Sequence, residues 1–118
     1  MKIKRIVPNI AARDLEAAKR FYCDILGLEI AMDLGWIATF TTDGSVKPQL
    51  SVATGGGSDT AVPDVSIEVD DLNEALSRFR KERITIEYGP VTEPWGVRRF
   101  YVRDPSGRLL NILEHSQP

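Results

Sequence analysis

The side chains best suited to acid–base or electrostatic chemistry alternate with apolar ones along two short segments. Asp64 and Ser66 are interleaved with valine and isoleucine, and Arg99 and Tyr101 flank Phe100. Successive side chains of a strand point to opposite faces, so each segment gathers its polar groups on one face. A carboxylate in a partly dry environment has a raised pKa and can accept a proton. This pattern makes Asp64 a candidate general base, with Arg99 or Tyr101 stabilising a developing oxyanion.

Structural roles explain the same residues equally well. Asp64 is as readily a polar group that lines a binding site, and Arg99 is as readily one half of a structural ion pair with Asp64 or Glu68. Glu68 is also compatible with a solvent-facing position at the end of its strand. The one histidine, His115, lies near the C-terminus, where we expect an exposed side chain on a fraying end.

An internal repeat organises the chain around these segments. The stretch that begins at Val7 aligns without a gap with the stretch that begins at Asp64, and Asp14 then falls on Asp71. Each copy contains an alternating strand, an Asp-Leu pair and an amphipathic helix. Two copies are too few for a solenoid and indicate a duplicated module.

Each copy predicts the element order β-α-β-β-β. The predicted strands are 2–11, 28–32, 36–42, 49–53, 64–69, 84–88, 97–103 and 109–114. Asp14 and Asp71 are good N-caps for the two helices, and Gly27 ends the first one. Its apolar face should carry Leu15, Ala18, Phe21, Tyr22 and Ile25. The fold class is therefore α+β, with an antiparallel or mixed sheet and helices on one face.

The chain length and composition indicate one globular domain. The 118 residues are 42% hydrophobic and 27% charged, with a net charge of −2 and no basic stripe, which argues against nucleic acid as a partner. We expect a first module at 1–54, a linker at 55–61 and a second module at 62–118. A single cysteine favours a reducing compartment, and the sequence has neither a leader-like N-terminus nor an apolar run that could span a membrane. A cytoplasmic location is expected.

Several motifs resemble those of the vicinal oxygen chelate superfamily. They are the paired modules, Phe21-Tyr22 before Leu26-Gly27-Leu28, Trp95-Gly96, and Asp104-Pro-Ser-Gly107 before an apolar strand. That superfamily includes glyoxalase I, fosfomycin-resistance enzymes, extradiol dioxygenases and bleomycin-resistance proteins. The resemblance implies two βαβββ modules that form a cup-shaped mixed sheet around a cavity. It also implies a homodimer, in which pairing covers exposed sheet edges.

The resemblance also points to four positions where enzymes of the superfamily hold a divalent metal. In this sequence they are Val7, Ser51, Asp64 and Asn111. Valine cannot coordinate a metal, and serine and asparagine are weak neutral donors, so Asp64 is the one strong ligand of the four. We therefore expect no catalytic metal and no cofactor.

The expected function is small-molecule binding in the cup without a metal, as in the bleomycin-resistance branch. The expected ligand-binding residues are Val7, Asn9, Trp36, Ser51, Asp64, Ser66, Trp95, Arg99, Tyr101 and Asn111. One alternative is a metal-independent lyase or isomerase that uses Asp64 with Arg99 or Tyr101. Another is an interaction module whose cup is filled by its own side chains. The sequence names neither the ligand nor the orientation of Trp36, and it leaves turnover open.

Overall fold

A computed structural model describes residues 1–116 of the chain. These residues form two compact units: Val7–Val62, here the first unit, and the residues from Pro63 onward together with Met1–Ile6, here the second unit. Both contain a helix packed on a four-stranded mixed sheet, so the predicted α+β class and the repeated order β-α-β-β-β are confirmed. The joining of the two sheets into a cup stays a prediction.

The first unit begins within the strand β1. Its elements are β1 Ile3–Ala11, α1 Leu15–Lys19 with a π-helical continuation Arg20–Ile25, β2 Glu29–Asp33, β3 Ile37–Thr41 and β4 Leu50–Ala53. The sheet order is β2-β3-β4-β1, and β1 and β4 are parallel, with Asn9 opposite Ser51. Leu15 packs with Ala38 and Phe40 in the core between helix and sheet.

The second unit repeats this arrangement. Its elements are β5 Val65–Val69, α2 Leu72–Lys81, β6 Tyr88–Thr92, β7 Val97–Arg103 and β8 Leu109–His115. The sheet order is β5-β8-β7-β6, and β5 and β8 are parallel, with Ser66 opposite Asn111. Leu72 and Leu76 of α2 pack on Phe100 and Val102 of β7. Burying each of these side chains contributes about 1.5–3 kcal/mol, which fixes the helix-covered face of the sheet.

Both helices begin where their caps predict. The Asp14 carboxylate accepts a hydrogen bond from Ala17 N at 3.0 Å, and Asp71 accepts one from Glu74 N at 3.1 Å. Each bond satisfies a backbone N–H that has no partner within the helix. Gly27 ends the first helix with φ of 85°, a left-handed conformation that glycine adopts without strain. Within residues 1–116, no helix is long and apolar enough to cross a membrane.

Two details of the predicted elements are wrong. Phe21 and Ile25 are 52% and 74% exposed, because the π-helical segment changes the helical repeat and turns these side chains away from the sheet. The strand predicted at 84–88 begins only at Tyr88. The preceding backbone instead closes helix α2, where Ile84 N donates to Phe79 O at 3.0 Å.

Candidate functional site

A row of polar side chains crosses all four strands of the second unit. Tyr88 of β6 is paired with Tyr101 of β7, Tyr101 with Asn111 of β8, and Asn111 with Ser66 of β5. We call these four residues the polar row. Neighbours of the row such as Phe100 belong to the α2-covered core, so alternation places the row on the opposite face.

Asn111 is the centre of the polar row. It is 8% exposed, and its side-chain nitrogen donates a hydrogen bond to Ser66 Oγ at 3.1 Å. Its Oδ1 atom is buried and has no hydrogen-bond partner within residues 1–116. An unsatisfied buried acceptor costs about 1–3 kcal/mol, so this group destabilises the fold unless something donates to it.

An ion pair lies beside the row on the same face. Arg99 Nη2 and Nε lie 2.6 and 2.7 Å from Glu93 Oε2, and both side chains are 3% exposed. Tyr88 donates its hydroxyl hydrogen to the same carboxylate oxygen at 3.1 Å. Arg99 Nη1 also donates to the Tyr101 hydroxyl oxygen at 2.7 Å. The buried positive charge is thus matched by one buried negative charge and held by several hydrogen bonds.

Aromatic rings surround the Arg99 guanidinium. Its Cζ atom lies 4.9 Å from the ring centres of Trp95 and Tyr101 and 5.4 Å from that of Tyr88. Each ring face attracts the cation, with a contribution of about 0.5–2 kcal/mol depending on desolvation. These contacts hold the Arg99 guanidinium between the rings, beside its partner Glu93.

The partner of Arg99 differs from both acids that the sequence suggested. Asp64 and Glu68 bond elsewhere, and Glu93 takes this place because the β6–β7 turn brings it back over the sheet: Glu93 N donates to Val97 O at 2.7 Å. Sequence reasoning missed both Glu93 and Tyr88. The register of the β6–β7 hairpin was the signal in the sequence for both residues. An acid in the turn before β7 lies close to Arg99, the second residue of that strand on this face.

Asp64 has a structural contact at the edge of this face. Its Oδ2 accepts a hydrogen bond from Leu109 N at 2.9 Å, and its backbone N–H donates to Leu109 O at 2.8 Å. These bonds hold the first residue of β8 beside the start of β5. The Asp64 residue is exposed, so the dry environment expected for a general base is missing at this carboxylate.

The expected ligand residues of the first unit lie on or next to its sheet. Val7 is buried, and Asn9 is paired with Ser51 across β1 and β4. The buried Ser51 hydroxyl lies 2.7 Å from that of Thr39. Trp36 is partly buried immediately before β3, and its carbonyl accepts a hydrogen bond from Thr54 N at 2.9 Å.

A second charged cluster surrounds Glu68 at the end of β5. Glu68 is buried, and its carboxylate lies 3.1 Å from Arg5 Nε, 2.8 Å from His115 Nδ1 and 3.9 Å from Lys4 Nζ. The suggestion that Glu68 faces solvent is therefore wrong. His115 is exposed, as expected, but it belongs to strand β8 and contacts Glu68, so the expectation of a fraying end at this residue is wrong.

The residues at the four metal positions do not fit a divalent metal. Val7 offers no lone pair, the Ser51 hydroxyl is bonded to Thr39, and the Asp64 carboxylate is bonded to the β8 backbone. Asn111 offers one neutral amide oxygen. Within residues 1–116, no three His, Cys, Asp or Glu side chains are grouped so that they could hold a metal. A divalent metal would need several strong ligands, and Asp64 is the one strong donor among these four residues.

Solved structures similar to this chain share its fold. A glyoxalase/bleomycin resistance protein/dioxygenase superfamily member from Vibrio splendidus has a TM-score of 0.65 at 18% identity, with 97% of this chain and 99% of that chain covered. A variant of methylmalonyl-CoA epimerase from Streptomyces coelicolor, in complex with 2-nitronate-propionyl-CoA, has a TM-score of 0.71 at 17% identity, with 98% and 100% covered.

A third similar structure is that of NAD-dependent benzaldehyde dehydrogenase from Legionella pneumophila, with a TM-score of 0.78 at 16% identity and coverage of 95% of this chain and 100% of that chain. At these identities the likeness shows the fold alone.

No curated protein sequence matches the chain. The model of one protein family matches residues 2–112, nearly the whole sequence. The chain therefore belongs to the Glyoxalase/Bleomycin resistance protein/Dioxygenase superfamily.

Proposed function

We propose that this protein binds a small organic molecule against the polar row of the second unit, without a catalytic metal. The observation that carries the proposal is the row itself, four polar residues in register across adjacent strands, on the face away from helix α2. A few placed polar groups beside aromatic walls are typical of small-molecule sites. Membership of a superfamily that includes the bleomycin-resistance proteins is consistent with binding as the function.

The buried polar groups also favour a ligand site over an ordinary core. The centre of the face that packs on α2 is apolar and contains Phe100, Val102 and Ile112. The opposite face buries the Asn111 amide, the Tyr101 phenol and an ion pair, which cost desolvation and contribute less to stability than apolar packing would. Recognition of a ligand explains why this face buries polar groups.

A metal-independent lyase or isomerase has less support. It requires Asp64 as a base with Arg99 or Tyr101 as an electrophile. Asp64 is exposed, and its carboxylate is bonded to Leu109 N. Arg99 is paired with Glu93 at 2.6 Å, so its positive charge is already compensated and would stabilise an oxyanion only weakly. The homodimer and the cytoplasmic location stay expectations.

Nuclear magnetic resonance tests the proposal directly. Bleomycin and a set of small aromatic fragments would be titrated into isotope-labelled protein in the presence of a chelator. We expect saturable shifts of backbone amides in β5, β7 and β8, including those of Ser66, Tyr101 and Asn111. The amides of α2, on the other side of the sheet, serve as the internal control and should stay in place.

Two results would contradict the proposal. One is a set of shifts confined to α2 or scattered over the surface without saturation. The other is binding that disappears with chelator and returns with a divalent metal, which would show that a metal completes the site.

A further inference from the structure

We propose that the bound molecule is uncharged and donates an N–H or O–H hydrogen to Asn111 Oδ1, which makes Asn111 the specificity-determining residue. This inference rests on the proposed function and adds the chemical class of the ligand. It depends on three features of the second unit: the orphaned amide oxygen, the internal neutrality of the Arg99–Glu93 pair and the aromatic rings beside them.

The first feature is the unmatched acceptor. Asn111 donates to Ser66 Oγ at 3.1 Å, which uses one end of the amide and fixes its orientation. The other end, Oδ1, is buried without a hydrogen-bond partner among the described residues. A ligand that donates there removes the penalty of an unsatisfied buried acceptor, whereas a ligand of the same shape without a donor leaves that penalty in place.

The second feature is the charge balance of the face. The polar row consists of hydroxyl and amide groups, and the Arg99 cation beside it lies 2.6 Å from the Glu93 carboxylate. Both charged side chains are almost fully buried, so they already neutralise each other at short range. A charged ligand would lose its hydration on this face and find no net opposite charge to compensate. An uncharged ligand avoids that cost.

The third feature is the pair of tyrosine rings next to Asn111. Tyr101 is the direct cross-strand neighbour of Asn111, and its ring centre lies 5.2 Å from that of Tyr88. Aromatic rings prefer offset or edge-to-face contacts at such separations, so a planar ring is a suitable body for the ligand. The class that meets all three features is an uncharged aromatic amide, phenol or aniline.

Four benzene derivatives of nearly the same size separate these requirements. Benzamide is neutral and has N–H donors; acetophenone is neutral and replaces the NH₂ group by a methyl group. Benzoate is anionic, and benzamidine carries N–H donors on a cation. We expect benzamide to cause saturable shifts of the polar-row amides. The dissociation constant of each of the other three compounds should be at least about tenfold larger, because each loses one hydrogen bond or brings one uncompensated charge.

The variant N111L removes the acceptor with little change of shape, since both side chains branch at the same carbon. We expect it to lose benzamide binding while its ligand-free melting temperature stays equal to or above that of the wild type. N111A serves the same purpose if N111L does not fold. The matched control is N73L on α2, where Asn73 Oδ1 accepts from Arg98 at 2.8 Å on the surface; its benzamide affinity should equal that of the wild type.

The outcomes distinguish this inference from the proposed function. Equal binding of acetophenone and benzamide, tighter binding of benzoate or benzamidine, or unchanged benzamide affinity in N111L would overturn the ligand class while leaving the binding face in place. Failure of all four compounds to shift the polar-row amides would also overturn the ligand class. Failure of bleomycin and of the whole fragment set there would overturn the proposed function as well.

Discussion

Arg99 is the residue whose environment most constrains the chemistry of this protein. Three rings and one carboxylate surround its guanidinium, and Tyr101 accepts one of its hydrogen bonds. A cation held in this way stabilises the position of its neighbours. It orders the Tyr101 ring beside Asn111 and is itself poorly available for a transition-state charge, so at this scale the site resembles a rigid binding surface.

Removing half of the buried ion pair should be costly. E93Q leaves the Arg99 charge buried without its counter-charge, and we expect a loss of about 3–5 kcal/mol in the free energy of unfolding, measured by urea denaturation. The matched control is E87Q, because Glu87 pairs with Arg103 at 2.8 Å on the surface, where loss of the pair should cost about 0–1 kcal/mol. Equal losses in both variants would show that the Arg99–Glu93 pair is solvated.

The sequence alone predicted only part of the contacts that individual side chains make at the site. Alternation along β7 correctly separated Arg99 and Tyr101 from Phe100, because the period of a strand depends on local geometry alone. The pairing of Arg99 with Glu93 depends on how the β6–β7 turn folds back. The hairpin register would have indicated this pairing, but it depends on where β6 lies, and the sequence placed that strand at 84–88 instead of Tyr88–Thr92.

Among the elements, the turn between β7 and β8 places Asn111 opposite Tyr101. Asp104 Oδ1 accepts hydrogen bonds from Ser106 Oγ at 2.6 Å and from the backbone N–H groups of Ser106 and Arg108 at 2.9 Å each. The hydrogen bond from the Ser106 hydroxyl, followed by that from Arg108 N, holds the pKa of the Asp104 carboxyl below its usual value. These bonds stabilise the charged form of the carboxyl group relative to its neutral form.

The contribution of Asp104 should therefore depend on pH. A carboxyl whose folded-state pKa is lowered stabilises the fold above its unfolded pKa, about 3.9, and loses this effect as the pH falls through the folded pKa. We expect D104A to melt at a lower temperature than the wild type at pH 7, with a difference that shrinks between about pH 4 and pH 2. Melting curves that stay equally far apart over this range would contradict the role of the charge.

Element boundaries followed the sequence where caps or strict alternation marked them. The Asp14 and Asp71 caps, Gly27 and the β7 bounds were predicted correctly. Strand β6 was misplaced because apolar alternation around Ile84 and Ile86 imitates a strand. The edge strand instead contains Gly89, where an added Cβ would lie 2.5 Å from the carbonyl oxygen of Arg99, and Pro90, which has no N–H to donate.

For the whole molecule, duplication explains why the strand pairing of one unit is repeated in the other. The Asn9–Ser51 register of the first unit repeats as Ser66–Asn111 in the second unit, so the alignment of the two copies is reproduced by the strand pairing. Of the four positions that the resemblance assigns to a metal, Val7, Ser51 and Asn111 lie on strands of the two sheets, and Asp64 directly precedes β5. Their side chains have the chemistry of hydrogen bonding and apolar packing.

The most direct test of the account combines metal analysis with thermal melting. The protein would be purified without chelator, its metal content measured, and Mn²⁺, Fe²⁺, Ni²⁺ and Zn²⁺ titrated in turn, with chelator-treated protein as the reference. A specific metal at 100 times its dissociation constant would add about 2.7 kcal/mol of stability. We predict no stoichiometric metal and no saturable rise in melting temperature. One equivalent of bound metal with a saturable rise would contradict the metal-free site and make metal-dependent catalysis the leading explanation.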